Sequence, residues 1–359
     1  VAKAATPSLT PVSTTYTYDL RANIPGVAQS AGNYNGTMQF IVVPEWKEDE
    51  RVEYNRRSQP RNIPEPALLA KPWDIFSLLI RPSFFKHIAD QSNKYFDQKQ
   101  PVNDGLQRLN LQAREIYIFL GLNLIFSLIR LTRIVYYWNL PKSALSPKLQ
   151  AAKCMSWRRY KQIKKYLHLA DITMYEAQPA NQRDRLFRIR PLLNEVSETF
   201  KRHWIHGRHI SFDEAMVGYK GVNPFRRNVP SKPKSVGFKL FAICDAEKYY
   251  CSDIEVDFQS GKSLVDIIMP MVDRTLSAGH IVYFDRFYTT VDVYMQLYNR
   301  RIRAVGTCMK NRFPCAALRN SDEPTERGQF VITTNEAKSI CAAAWMDSRR
   351  VLMLSTAYS

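Results

Sequence analysis

The stretch GHIVYFDRFYTT, Gly279 to Thr290, decides how this chain reads. Ile281, Val282, Tyr283 and Phe284 form the β-branched and aromatic run of a buried strand, and Asp285 stands where that run stops. A helix is predicted on each side. Upstream, SLVDIIMPMVDRTLSAG puts Leu264, Ile267, Ile268, Met271 and Val272 on one helical face; Ser263 and Asp266 have capping-box spacing, and Gly279 suits the far end. Downstream, a helix over Val291 to Arg301 leads into the strand IRAVGTCM. Earlier in the chain HISFDEAMVG alternates briefly, and GFKLFAICDA and YCSDIEVDF are two strand candidates joined by AEK, which suits a hairpin turn.

Three strands able to pair antiparallel, then helix, strand, helix, strand, describe a mixed α/β sheet with right-handed crossovers. That order is the one found in ribonuclease-H-like folds. In such a sheet Asp213 and Asp285 end two neighbouring strands. Two carboxylates brought together repel unless a cation sits between them, so the pair points to a metal such as Mg²⁺, which prefers one or two carboxylates with waters and phosphate oxygens. A chain with 33 acidic residues also has Asp at strand ends by chance, and spacing alone leaves that alternative open.

Composition narrows the class. The chain has 359 residues, 45% of them hydrophobic and 12% aromatic, enough for a large core and too many for wholesale disorder. Fifty-one Lys and Arg against 33 Asp and Glu leave a net charge of +18, which attracts polyanions, nucleic acid foremost and an anionic membrane surface as the rival. The longest apolar run, Ile116 to Ile129, is interrupted by Gly121, Asn123 and Ser127; it is too short to span a bilayer and reads as a buried helix. No secretory pattern opens the chain. The six cysteines are scattered without a CxxC pair, so reduced, mostly buried thiols are expected rather than a zinc site.

Residues 1 to about 36 lack a sustained apolar period, and the following patch MQFIVVPEW and the charged stretch Lys47 to Pro66 read with them as an arm or linker. From about Pro72 to Trp204 the pattern is helical. PSFFKHIADQSNKYF spaces Phe84, Ile88 and Tyr95, and RPLLNEVSETFKRHW places Leu192, Val196 and Phe200 on one face. In SWRRYKQIKKYLHLAD, Trp157, Tyr160, Ile163 and Leu167 share a side. Arg158, Arg159, Lys161, Lys164 and Lys165 fill the rest, either as a solvated basic face or as a helix lying along phosphates, which the overall charge favours. His203, His206 and His209 recur every third residue, but Gly207 ends the helix and no acidic or Cys partner is adjacent, so a basic helix exit is favoured over a metal site. NPFRRNVPSKPKS follows Asp213 with four cations, Arg226, Arg227, Lys232 and Lys234, which with Lys220 before them suit contact with a phosphate backbone.

The block ISFDEAMVGYKGVNPFRRNVPSKPKSVGFKLFAICD resembles the first-aspartate block of piggyBac-type transposases, and VYFDRFYTT resembles their second; the Asp213 to Asp285 separation is close to that family's. EIYIFLGLNLIFSLIRLTRIVYYW, MSWRRYKQIKKYLHLAD and RLFRIRPLLNEV resemble its helical domain, so the match runs from roughly Pro82 to the end. The resemblance implies cut-and-paste transposition in the nucleus at TTAA targets through DNA hairpin intermediates. It implies a ribonuclease-H-like catalytic domain with three aspartates and two Mg²⁺ ions, acting on DNA, with a homodimer as one assembly and neither membrane nor small-molecule substrate. Asp213 and Asp285 would be its first and second catalytic metal ligands. It further implies residues 1–75 as a disordered or linker arm, 76–205 as a helical DNA-binding and dimerisation domain, 206–310 as the incomplete catalytic domain and 311–359 as the start of an insertion domain. Two departures stand out. Arg286 occupies a position where the family commonly has Asn, and would either pair with Asp285 or contact a DNA phosphate. The third aspartate and the Cys/His-rich module lie beyond Ser359, so a truncated or degenerate copy with little or no strand transfer is expected; a domesticated DNA- or chromatin-binding protein without catalysis is the alternative.

Overall fold

A computed structural model describes residues 16–19, 37–42, 58–63, 71–99, 109–139, 151–223, 225–230, 232–257, 261–335 and 339–357. The chain divides into a unit of residues 62–203 and a unit of residues 1–61 with 204–359.

The first unit is built on helices α1 (Pro72–Leu79), α2 (Pro82–Lys99), α3 (Ala113–Leu128), α4 (Trp157–Tyr166) and α5 (Arg190–His203). Helical spacing in α2 buries Phe84, Phe85, Ile88 and Phe96 against Ile116, Phe119 and Leu122 of α3 and Tyr160 and Ile163 of α4. The Tyr160 hydroxyl donates to Asn123 Oδ1 at 2.9 Å, so a polar residue that interrupts the apolar run of α3 satisfies a buried phenol. The expectation that this run is wholly buried does not hold. Leu124, Ile125 and Leu128 are exposed, because only one stripe of the helix faces α2 and α4. No described helix is long and apolar enough to cross a membrane. In α5 the buried positions are Glu195, Thr199 and His203 rather than Leu192, Val196 and Phe200. Glu195 explains the rotation: its carboxylate accepts from the Arg81 amide at 3.1 Å and Nε at 2.8 Å, and from Nη2.

Among the described residues, the second unit holds an eleven-stranded sheet. In chain order its main elements are β1 (Tyr16–Asp19), β2 (Thr37–Val42), β3 (His209–Gly218), β4 (Val236–Asp245), β5 (Cys251–Val256), α6 (Leu264–Thr275), β6 (Ile281–Phe284), α7 (Val291–Asn299), β7 (Arg303–Thr307), β8 (Phe330–Asn335), β9 (Cys341–Met346) and β10 (Arg350–Ser355). Strands β3, β4 and β5 pair antiparallel, and β6 joins β3 and β7 joins β6 in parallel. Each parallel connection runs through a helix, α6 and then α7, as parallel strands require. Ser263 caps α6 and exchanges hydrogen bonds with Asp266, the expected capping box. The helix stops at Thr275, so Gly279 (φ 95°) serves the turn into β6 instead of the cap.

Residues 311–359 do not stand apart from this sheet. Strand β10 pairs antiparallel with β7, β9 with β10 and β8 with β9, because the outer edge of β7 carries backbone groups that need partners. Strand β2 pairs with β8 and β1 with β2, so two segments of the expected arm are strands; most of residues 1–75 lies outside the described residues. One face of the central strands presents Ile210, Phe212, Phe241, Ile243, Val282 and Phe284 to Ile268, Met271 and Val272 of α6 and to Val293, Tyr294 and Leu297 of α7.

The start of β3 is pinned by Asp245, which lies opposite Ile210 and is fully buried. Its carboxylate accepts from the Ser58 hydroxyl, from Trp204 Nε1 at 3.2 Å, and from the amides of Gly207 (3.1 Å), Glu247 (3.0 Å) and Lys248 (2.9 Å).

Candidate functional site

The parallel ladder between β3 and β6 sets His209 opposite Ile281, Ile210 opposite Val282, Ser211 opposite Tyr283 and Phe212 opposite Phe284. The next residues are Asp213, which lies within β3 rather than ending it as expected, and Asp285, just past the end of β6. Alternation sends Phe212 and Phe284 into the core, and Asp213 and Asp285 away from it. Both acids are exposed. The ladder ends here because the chain after Phe284 turns, the Tyr288 amide donating to the Asp285 carbonyl at 3.0 Å, while β3 continues against β4 to Gly218. A charge therefore sits at the mouth of the core at no burial cost, beside a second charge.

Each acid accepts the amide of the residue after it on Oδ1, from Glu214 at 2.8 Å and from Arg286 at 2.5 Å. Asp213 is pushed above the ordinary carboxylate value by loss of solvent and by the charge of Glu214, which outweigh the amide bond. Glu214 faces the other way. Burial would raise it, but the Tyr288 hydroxyl at 2.6 Å, Lys232 Nζ at 3.1 Å and Asp213 hold it down to about 2. The Lys232 ammonium is held protonated mainly by Glu214, with smaller contributions from Asp213 and Asp285. Among the described residues no cluster of three or more His, Cys, Asp or Glu side chains is arranged to hold a metal ion. Two exposed, neighbouring carboxylates nevertheless are a hard-oxygen donor pair of the kind Mg²⁺ takes together with water and phosphate.

The basic residues separate into two groups. Lys220, Arg226 and Lys234 are exposed at the far end of β3, past Gly218, and Arg286 is exposed next to Asp285, with which it forms no ion pair. Arg226 Nη1 donates to the Gly221 carbonyl at 3.0 Å. Lys232 is engaged by Glu214, and Arg227 by Asp257 at 3.0 Å. On α4, Arg158, Lys161, Lys164 and Lys165 are exposed, Lys161 lying over the Trp157 ring and Lys165 over Tyr166. Arg159 departs from the expected phosphate-facing row. Its guanidinium holds Glu115 through Nε (2.7 Å) and Nη2 (2.8 Å) and reaches the Leu109 carbonyl at 3.0 Å through Nη1. Arg159→Ala is accordingly expected to lower the stability of the helical unit by about 1–3 kcal/mol, read as a denaturation midpoint, and to change DNA affinity less than Lys164→Ala or Lys165→Ala does.

The three spaced histidines do not gather. His203 Nδ1 bonds the Asn62 carbonyl at 3.1 Å, His209 Nδ1 bonds the Tyr283 hydroxyl at 2.9 Å, and His206 lies 4.0 Å from Asp245. Sequence reasoning missed Lys239, Tyr288 and Arg312. Lys239 Nζ sits over the Phe241 and Phe287 rings at 5.1 and 4.9 Å, and Arg312 lies over the outer side of Phe287, joining two cations to the exposed ring two residues past Asp285. A lone cation inside the apolar run GFKLFAICD was the available signal for Lys239.

Comparison with known proteins follows the same residues. The family model described as Transposase IS4 matches residues 71–359, well over half of the chain. Human PiggyBac transposable element-derived protein 2 is 25% identical over 300 residues, covering 80% of this chain and 48% of that protein. Human PiggyBac transposable element-derived protein 3 is 23% identical over 301 residues, with the same shares. The chain thus spans about half the length of the curated relatives it matches. A solved piggyBac transposase, imaged by cryo-electron microscopy as a synaptic complex with hairpin DNA, superposes with a TM-score of 0.67 at 17% identity, covering 84% of this chain and 63% of that one. At that identity the likeness is one of fold. The chain belongs to the Transposase IS4 family that this model defines, and its relatives and its fold within that family are of the piggyBac type.

Proposed function

We propose that this chain carries the DNA strand-cleaving site of a piggyBac-type transposase on a ribonuclease-H-like sheet, acts in the nucleus, and is directed to TTAA sequences. The observation that supports this most is that Asp213 and Asp285, both exposed, each follow the last pair of the parallel ladder between β3 and β6, with Lys232 in the field of both. Asp213 and Asp285 would hold Mg²⁺, one ion or the two that the family implies. When bound, the ion supplies a water or 3′-hydroxyl activated as nucleophile and neutralises charge on the scissile phosphate. The chain itself supplies orientation and charge. Arg286 offers an exposed cation beside Asp285, Lys220, Arg226 and Lys234 offer others at the far end of β3, and Arg158, Lys161, Lys164 and Lys165 offer a second row on α4 to a DNA backbone. Lys232 and Tyr288 engage Glu214, whose carboxylate also contacts Asp213.

A second reading, a DNA-binding protein without catalysis, is favoured by one observation: the Lys232 ammonium already lies in the field of Asp213 and Asp285. Calorimetric titration of the 359-residue polypeptide with Mg²⁺, run beside duplex binding over a salt series, separates the two. Saturable ion binding with salt-steep DNA affinity supports the nuclease reading, and DNA affinity without ion binding supports the other. Neutralising all four exposed α4 cations is expected to flatten the salt slope by about 0.9 for each phosphate left without its cation.

A further inference from the structure

Cys244 and Cys251 are the only cysteines that the structure sets directly opposite one another among the described residues, on the antiparallel strands β4 and β5. The register shifts between Ile243 and Cys244, a β-bulge that advances Ser252 and brings Cys251 into line with Cys244. In the adjoining pair the Asp245 amide donates to the Tyr250 carbonyl at 2.9 Å, so the hairpin is closed just beyond the cysteines. Directly opposed residues in such a ladder have Cα atoms about 4.5–5.5 Å apart, inside the roughly 4.4–6.8 Å that a disulfide bridges. The two thiols interact directly, and the Cys251 S–H donates to the Asp253 carbonyl at 3.8 Å. Both residues are half-buried, whereas Cys308, Cys315 and Cys341 are buried and Cys154 is a solitary exposed thiol.

We propose that Cys244 and Cys251 form a peroxide-sensitive dithiol that closes reversibly to a cross-strand disulfide. Cys244 attacks as the thiolate, breaking the peroxide O–O bond to give a sulfenic acid and one water. The Cys251 sulfur then attacks the Cys244 sulfur, forming the S–S bond and expelling the sulfenic oxygen as a second water. Two thiols thereby lose two electrons and two protons, and one hydrogen peroxide becomes two waters. The order of attack follows from the contact between the two sulfurs, which lowers the Cys244 thiol against the opposing effect of burial and, together with burial, raises Cys251. Burial pushes Cys308 and Cys341 up to about 12, which keeps them protonated and slow. The bond would tie edge strand β5 to β4 two residues from Ala242, the residue opposite Asp213.

The test is peroxide treatment of the folded Cys154→Ser protein, which removes intermolecular cross-linking, followed by alkylation and peptide mapping with and without reduction. Alkylation of Cys244 and Cys251 is expected to fall together, with a joined peptide that dithiothreitol separates, while the three buried cysteines stay alkylatable after unfolding. Oxidation of one member without the other, or a sulfinic acid at Cys244 with no joined peptide, overturns the proposal. In Cys251→Ser, Cys244 is expected to stop at the sulfenic acid and be trapped by dimedone; no adduct there overturns the assigned order of attack.

Discussion

Asp245→Ala is expected to destabilise the sheet unit by roughly 3–5 kcal/mol, because it strands several buried donors at about 1–3 kcal/mol each. The carboxylate is fully buried and accepts from five groups, three of them reached through chain distant from β4, at Ser58, Trp204 and Gly207. Asp245→Asn is expected to lose nearly as much. Its amide nitrogen would face either the Trp204 and Gly207 N–H groups or the Glu247 and Lys248 amides, donor against donor. The sign of the pH dependence follows from the same contacts. Burial alone would raise this acid, but its donors hold it at about 2 against an ordinary 3.8, so the folded-state value is depressed. Its contribution is present in full above the unfolded value and is lost as the pH falls from about 4 towards 2, a difference of roughly 2–3 kcal/mol. Urea midpoints at neutral pH and along that acid limb check both statements. A neutral-pH shift below about 1 kcal/mol in the alanine variant would mean that the cluster does not anchor β3.

Alanine at Asp213 or at Asp285 is expected to behave in the opposite manner, removing function without stability. Each substitution should weaken Mg²⁺ binding by at least the roughly 10–100-fold that removing a supporting group costs. Duplex affinity and its salt slope should stay near wild type, since neither carboxylate neutralises a phosphate. Stability should hold or rise, because Asp213 carries a raised folded-state value, so its ionised form is disfavoured in the fold at neutral pH and removing it relieves repulsion. Lys232→Ala should strengthen Mg²⁺ binding by roughly tenfold, about 1.4 kcal/mol, well below the roughly 4 kcal/mol of a close ion pair at an effective dielectric near 20. Equal loss of ion binding, DNA binding and stability in the aspartate variants would assign these acids to the framework instead.

Much of the arrangement around the acids was legible from local pattern. The apolar run ending at Asp285, the alternation through Phe212 and the Ser263 capping box with Asp266 are short-range features, and each lies in the structure at the expected position. Features that depend on partners far along the chain were not legible. Glu195 is buried in α5, against its polarity, only because Arg81 meets it from 114 residues away. Arg159 and Lys161 share one basic helix and read alike, yet Glu115 occupies the first and leaves the second exposed. Strands β8 to β10 read as a separate domain because nothing in their own spacing names β7 as a partner.

Residue order alone determined the strands and helices around the acids and where charge interrupts them, since side-chain period and capping act within a few residues. Tertiary structure decided that both acids follow the last pair of one parallel ladder, that Glu214 meets Lys232 and Tyr288, and that Cys244 meets Cys251. Those outcomes rest on ladder register and on a β-bulge. A one-residue slip in either would reverse the face of every side chain beyond it, and it is the packing of the buried face that selects the register.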